Sequence, residues 1–415
     1  MKSQKIVKFS SVITMMLVIS IFLLGCDLAE PIDEYDDEFN DSEFTDDEFT
    51  DDEFLEDDLS FTDRAEPVSL NRCKLADRDD DPTIGLGFPR AETASPSLGA
   101  VSIKVLFVDF PDAPARSTTE EILTTVAPSA DLFETISYGR ITLEFDPVHT
   151  WYRMSQPANS YSFAEYDTHL TYIQEALALA DPDTDFSTAD VVYILASDGI
   201  NLDASAAFST GDGEFMIDGV ELFAVNTSSE DYTDESVYKI FAHELGHSFG
   251  LIDLYEYDNE DDSHRFTGEF DLMGNVWGTA PEMMAYHRWM LNWLDDDQIY
   301  CQEESENQIL LTPVETAGGL KAVIVPLSES SAVAVESRRA LGYDADIYEE
   351  GALVYLIDST FESGTGGIVV YPDLGEDNWE APLSVGESVT VSGVTIEVLE
   401  ATDEGDRVSV TVSAP

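Results

Sequence analysis

The chain has 415 residues, 43% of them hydrophobic and 11% aromatic, which is enough apolar matter for buried cores and argues against wholesale disorder. Nineteen Lys and Arg stand against 85 Asp and Glu, a formal net charge of −66; a polyanion of that size repels a phosphate backbone, so nucleic acid is not an expected partner. Three cysteines cannot make a disulfide-rich scaffold, and the length predicts more than one folded unit.

The first residues read as an address. Lys2, Lys5 and Lys8 precede a largely apolar run over 12–24, too short for a bilayer-spanning helix of about 20 residues. Leu23-Leu24-Gly25-Cys26 resembles the bacterial lipobox, which implies that 1–26 is a lipoprotein signal peptide and that Cys26 is lipidated. The chain would then be exported and held at a membrane surface of the bacterial cell envelope without crossing it. Residues 27–66 carry 20 acidic side chains and one basic, Arg64, with an Asp-x-Glu-Phe unit starting at Asp36, Asp41, Asp46 and Asp51. A period of five fits neither helix nor strand, and the self-repulsion opposes compaction. Residues 27–97 therefore read as an acidic disordered tether ending in a pro-like segment.

Strands are predicted at 101–110, 141–145, 191–196 and 221–225. They alternate with helices at 131–138, 163–180, 236–249 and 281–293, the last with Pro281 in its first turn. That alternation predicts an α+β domain over 98–300. Beyond 308 the texture changes to short β-rich runs at 320–325, 332–335, 352–357, 368–371, 389–391, 394–398 and 408–412, which predict an all-β sandwich over 308–415.

The chemistry lies in 243–253, His-Glu-Leu-Gly-His-Ser-Phe-Gly-Leu-Ile-Asp. On a helix, His243 and His247 are four apart and project from one face, within reach of a single metal ion. Val237, Phe241, Leu245 and Phe249 form an apolar stripe on the opposite face. Glu244 is placed to act as a general base beside the ion. Gly250 ends the helix and lets Asp253 swing back as a third ligand, leaving an open corner as in catalytic zinc sites. Glu269, farther along, is a rival third ligand.

This motif resembles the extended metzincin signature, and Phe270-Asp-Leu-Met-Gly274 looks like the metzincin methionine turn, with Met273 as the matching residue. More narrowly, the motif, that turn, Ser137-Tyr-Gly-Arg140 and residues 105–111 and 286–294 resemble the immune inhibitor A family of secreted bacterial metallopeptidases. The resemblance covers roughly 98–415. It implies a metzincin-like zinc endopeptidase domain with ligands His243, His247 and Asp253, catalytic Glu244 and Met273 as a structural floor. Substrates would be proteins or peptides. The resemblance also allows calcium as a second cation, with no ligands assigned: Asp181, Asp183 and Asp185 alternate, but Phe186 stands where an EF-hand loop needs glycine. Some metzincins place a tyrosine two residues after the turn methionine, where this chain has Asn275, so Tyr255, His264 and His287 are the candidates for stabilising the oxyanion.

Two readings of the remaining cysteines stay open. Cys73 and Cys301 form a disulfide outside the cytoplasm, or Cys73 supplies a thiolate to zinc as a latency switch. The competing functional class is a non-catalytic surface binding or adhesion lipoprotein whose metal site only stabilises the fold.

Overall fold

The computed structural model describes residues 70–78, 83–163, 166–198, 200, 202, 206–208, 216–227, 236–259 and 262–413. The export signal, Cys26 and the acidic tether up to residue 69 lie outside the described residues. Those described fall within one compact unit, Asp63–Pro415. Among them no helix is long and apolar enough to cross a membrane.

In chain order the elements begin β1 (Gly99–Asp109), α1 (Thr119–Val126), α2 (Pro128–Ile136), β2 (Ile141–Arg153), α3 (Tyr166–Ala180) and β3 (Val191–Ala196). Then come β4 (Ala206–Phe208), β5 (Met216–Ile217), β6 (Val220–Glu221), β7 (Phe223–Thr227), α4 (Val237–Ser248) and α5 (Ala285–Met290). The first sheet has the order β2-β1-β3-β7-β4, parallel except at the β4 edge. β1 and β3 sit inside it and are buried over long runs because both their faces are covered. The strand alternation sorts the side chains: Ile103, Val105, Phe107, Tyr193 and Leu195 pack with α1, α2 and α4, while Leu106, Val108, Phe110, Val192 and Ile194 pack with α3. Full burial of each such aliphatic or aromatic side chain contributes about 1.5–3 kcal/mol. The mixed α/β layer is thereby fixed on both faces.

The remaining strands are β8 (Ile299–Cys301), β9 (Glu306–Leu311), β10 (Ala322–Pro326), β11 (Ser331–Arg338), β12 (Gly351–Asp358), β13 (Ile368–Tyr371), β14 (Ser388–Val391), β15 (Val394–Thr402) and β16 (Gly405–Val412). They form two sheets, β13-β12-β11-β10-β8 and β14-β15-β16-β9, whose facing side chains share a core of Val323, Val333, Val335, Val354, Ile396 and Val410. The other face of the first of these sheets, through Ile324, Ala334, Leu353 and Tyr355, belongs to the same core as α4, α5 and Met273. A continuous apolar core therefore crosses the expected boundary between 300 and 308, and β8, on its N-terminal side, pairs in parallel with β10.

Two expectations need correction. Residues 281–293 are helical only over Ala285–Met290, because Met284 is extended (φ −56°, ψ 151°) and the neighbouring amides are taken by distant side chains. Glu282 N donates to Asp344, Met284 N to Asp271 and Ala285 N to Glu336. The described part of 70–97 is not tether: Cys73, Leu75 and Leu86 are buried in the main core, and Cys73 is disulfide-bonded to Cys301 with a Cα separation of 5.8 Å. This strap also takes up carbonyls that the end of α4 leaves without helical partners. Ser95 N donates to Ser248 O (2.7 Å), Arg90 Nη1 to Phe249 O (2.8 Å) and Gly85 N to Gly250 O (3.0 Å). With its sulfur bonded to Cys301, Cys73 offers no thiolate to a metal, which removes the latency-switch reading.

Candidate metal centre

α4 is anchored by the aromatic residues of its apolar stripe. Phe241 stacks on Tyr193 with ring centroids 3.7 Å apart and meets Phe145 edge-on, and Phe249 meets Phe133 edge-on. The rest of the helix is also enclosed: His243 and Glu244 are each only 6% exposed. The helix stops in a Schellman arrangement, with Leu251 N donating to Gly246 O (3.2 Å) and Gly250 N to His247 O (2.9 Å). Gly250 has φ +89°, the left-handed conformation that glycine adopts without strain, and this turn returns the chain toward the helix.

The return brings Asp253 Oδ1 to 2.9 Å from His243 Nε2 and 3.3 Å from His247 Nε2. One ligand atom from each of the three residues lies within 4.8 Å of the other two. Each imidazole is oriented from behind: His243 Nδ1 donates to Leu272 O (2.9 Å) and His247 Nδ1 to Leu251 O (2.8 Å). Both Nε2 atoms therefore turn lone pairs inward, the arrangement found behind metal-binding histidines.

Residues and cation fit one another. Asp253 Oδ1 is buried and faces only the two imidazole Nε2 atoms. Two nitrogen lone pairs and a carboxylate oxygen converging in a dry space repel one another unless a cation lies between them. In the metal-free chain protons fill that need. Burial opposes charge on both imidazoles, but the Asp253 carboxylate outweighs it, raising His243 and lifting His247 to about 9. Burial likewise opposes charge on Asp253, yet the two imidazoles hold its carboxyl well below the usual carboxylate range.

The turn at 270–274 lies against this helix. Asp271, at φ +71°, is fully buried and accepts hydrogen bonds from Met273 N, Met284 N and His287 Nδ1, each 2.8–2.9 Å long. Burial raises its carboxyl, but the His287 ring and those two amides outweigh it and hold it below its ordinary value. Leu272 lends its carbonyl to His243, and Met273 O accepts from Leu254 N (2.9 Å), tying the turn to the segment beyond Asp253.

The other sequence-selected residues separate clearly. Glu269 is not part of the group; its Oε2 accepts from Thr279 N (2.6 Å). His287 is fully buried behind the Asp271 turn, which removes it as an oxyanion-binding candidate. The Tyr255 ring stands 6.0 Å from that of His243 and so lies beside the site; the His264 ring is 6.4 Å from that of Tyr255, and its Nδ1 donates to Gly274 O (2.7 Å). Asp181–Asp183 form a single 3-10 turn and Asp185 accepts from Ser187 N; among the described residues only His243, His247 and Asp253 form a group of metal-binding character. Sequence reasoning missed Asp271, Tyr257 and Ser363, the last two being hydrogen-bonded to Asp253.

No protein-family model matches the sequence, and no curated protein matches it significantly. Among solved structures, metalloproteinase-II from Bacteroides fragilis is similar at 17% identity and a TM-score of 0.25, over 52% of this chain and 60% of that one. OgpA from Akkermansia muciniphila is similar in two crystal forms, at 12% and 13% identity and TM-scores of 0.31 and 0.29. Those matches cover 76% and 79% of this chain and 92% and 95% of the other. Overlaps of this extent leave the functional reading to the geometry of the site.

Proposed function

We propose that the chain is a zinc-dependent endopeptidase of metzincin type, related to the immune inhibitor A family, and that it is exported and anchored by a lipid on Cys26. The observation that carries the enzymatic reading is the convergence of His243 Nε2, His247 Nε2 and Asp253 Oδ1 beside the buried Glu244. Two imidazoles and one carboxylate leave one corner of a tetrahedral zinc site open, whereas a structural site closes all four.

When bound, zinc would supply Lewis acidity for the scissile carbonyl and for water. Glu244 takes a proton from the attacking water and returns it to the leaving amine, one carboxyl serving as base and then as acid. His243 and His247 are held with Nε2 inward by Leu272 O and Leu251 O, so neither ring must turn as the reaction proceeds. Tyr255 supports the reading as a neighbour whose hydroxyl is able to donate toward developing oxyanion charge.

Casein hydrolysis and zinc content, measured together, test this. Glu244→Ala is expected to keep zinc and lose hydrolysis; no hydrolysis above background by either protein, despite bound zinc, points instead to a binding protein with a structural metal. Asp253→Ala is expected to lose zinc while Glu269→Ala keeps it, and the reverse reassigns the third ligand. Anchoring is tested by fatty-acid labelling, which should vanish in Cys26→Ala.

A further inference from the structure

The segment that carries Asp253 has no regular secondary structure to hold it, and its geometry is set from a distance of 110 residues. Ser363 lies in the loop between β12 and β13, within the C-terminal β region. Its Oγ accepts the Asp253 backbone N–H (2.9 Å) and lies 2.8 Å from Tyr257 Oη. Tyr257 Oη in turn donates to Asp253 Oδ2. Beside it, Gly364 N donates to Asp253 O (3.0 Å), and Tyr257 N donates to Gly364 O (3.2 Å).

Two hydroxyl protons must serve three contacts, since Ser363 Oγ also stands 3.1 Å from Asp253 Oδ2. The two shorter contacts decide the direction: Asp253 N–H to Ser363 Oγ, Ser363 O–H to Tyr257 Oη, Tyr257 O–H to Asp253 Oδ2. The ring starts and ends on one residue, and each member polarises the next. Its effect on the carboxylate is to occupy Oδ2 and leave Oδ1 turned to the two imidazoles alone.

We propose that Ser363 and Tyr257 are positioning residues that hold Asp253 as a one-oxygen metal ligand, so that the C-terminal β region completes the metal centre. This rests on the reading of His243, His247 and Asp253 as a metal site. Groups hydrogen-bonded to a metal ligand typically change affinity by 10–100-fold when removed. The ring adds a signature that general weakening of the fold would not give: the Ser363–Tyr257 contact is lost in either single variant, so removing both hydroxyls costs less than the two single losses combined.

The test is a zinc competition titration of the full chain against a chromogenic chelator, with thermal melting as a check on folding. Native protein should bind one zinc. Ser363→Ala and Tyr257→Phe should each bind about 10–100-fold more weakly, the double variant more tightly than the product of the two losses predicts, and Ser363→Thr close to native. If Ser363→Ala does not fold, Tyr257→Phe carries the test, because it deletes one oxygen from a side chain that is 52% exposed. Native protein that binds zinc while both single variants hold it equally well overturns the proposal and leaves the metal site standing. Losses that multiply in the double variant overturn the ring. Native protein that takes up no zinc overturns the metal site and the proposal together.

Discussion

Gly246 and Met273 touch through the absence of a side chain: a β-carbon at Gly246 would stand 2.5 Å from the Met273 sulfur. Met273 is fully buried, so its sulfur has no solvent to retreat into. The glycine inside the His-Glu-Leu-Gly-His motif is therefore where helix and turn approach closely enough for Leu272 O to reach His243. Gly246→Ala should cost about 1–3 kcal/mol through overpacking and should lower zinc affinity by shifting the turn. Adding Met273→Ala removes the obstructing atoms, so the double variant should lose less stability than the two single losses combined. Urea unfolding with a zinc measurement on each variant decides it; a Gly246→Ala protein as stable as native refutes the close approach.

The Cys73–Cys301 bond spans 228 positions and holds the strap that takes up the final carbonyls of α4. In the chain-entropy picture a loop of that length contributes up to about 5 kcal/mol, less any strain. Cys301→Ser should therefore melt well below native, and reductant should lower native but not the variant. Zinc content should stay the same in both. A rise in zinc affinity or activity on reduction would instead revive a role for the thiol at the metal.

The elements readable from sequence are those whose own pattern decides them. β3 was legible because its six successive apolar residues are β-branched or aromatic at four positions and too short a run for a core helix, and the α4 motif because four-residue spacing puts both histidines on one side. α1 was missed although Thr118 and Glu121 form a capping box, since its eight residues carry only a short apolar pattern. The helix expected over 281–293 failed because Asp344, Asp271 and Glu336 claim amides that a helix would have used. Tyr257 and Ser363 carry no signal in the chain; they matter only because the loop after β12 reaches Asp253.

A buried charge cluster surrounds the end of β11. Arg338 is fully buried, with Nη1 3.1 Å from Glu336, Nη2 2.5 Å from Asp344 and Nε 3.5 Å from Glu315. Burial pushes the carboxyls of Glu315 and Asp344 upward against the pull of Arg338, so the group is already short of positive charge. Arg338→Met should cost about 3–5 kcal/mol by stranding buried carboxylates. Arg338→Lys should recover only part, since one ammonium cannot reproduce the planar fork that also donates to Ala280 O and Glu282 O. Chemical denaturation of the three proteins measures this; equal stability of native and Arg338→Met would show that the cluster rearranges at no cost.

One buried histidine contributes a separable part of the acid sensitivity of this very acidic protein. His169 on α3 is 3% exposed and stacks on Phe163 with ring centroids 4.5 Å apart. Burial lowers its pKa from the ordinary 6.5 to about 4. Between those values the unfolded chain takes the proton and the folded chain does not. Its contribution is therefore intact above pH 6.5, erodes as the pH falls and levels off near pH 4. At about 1.4 kcal/mol per pH unit the loss is at most about 3 kcal/mol. His169→Phe keeps the ring and the stacking while removing the proton site. Urea unfolding at pH 7 and pH 4.5 should show native losing more stability than the variant across that interval. Parallel losses in the two proteins would place the acid sensitivity elsewhere, among the carboxylates, and would contradict the buried neutral imidazole.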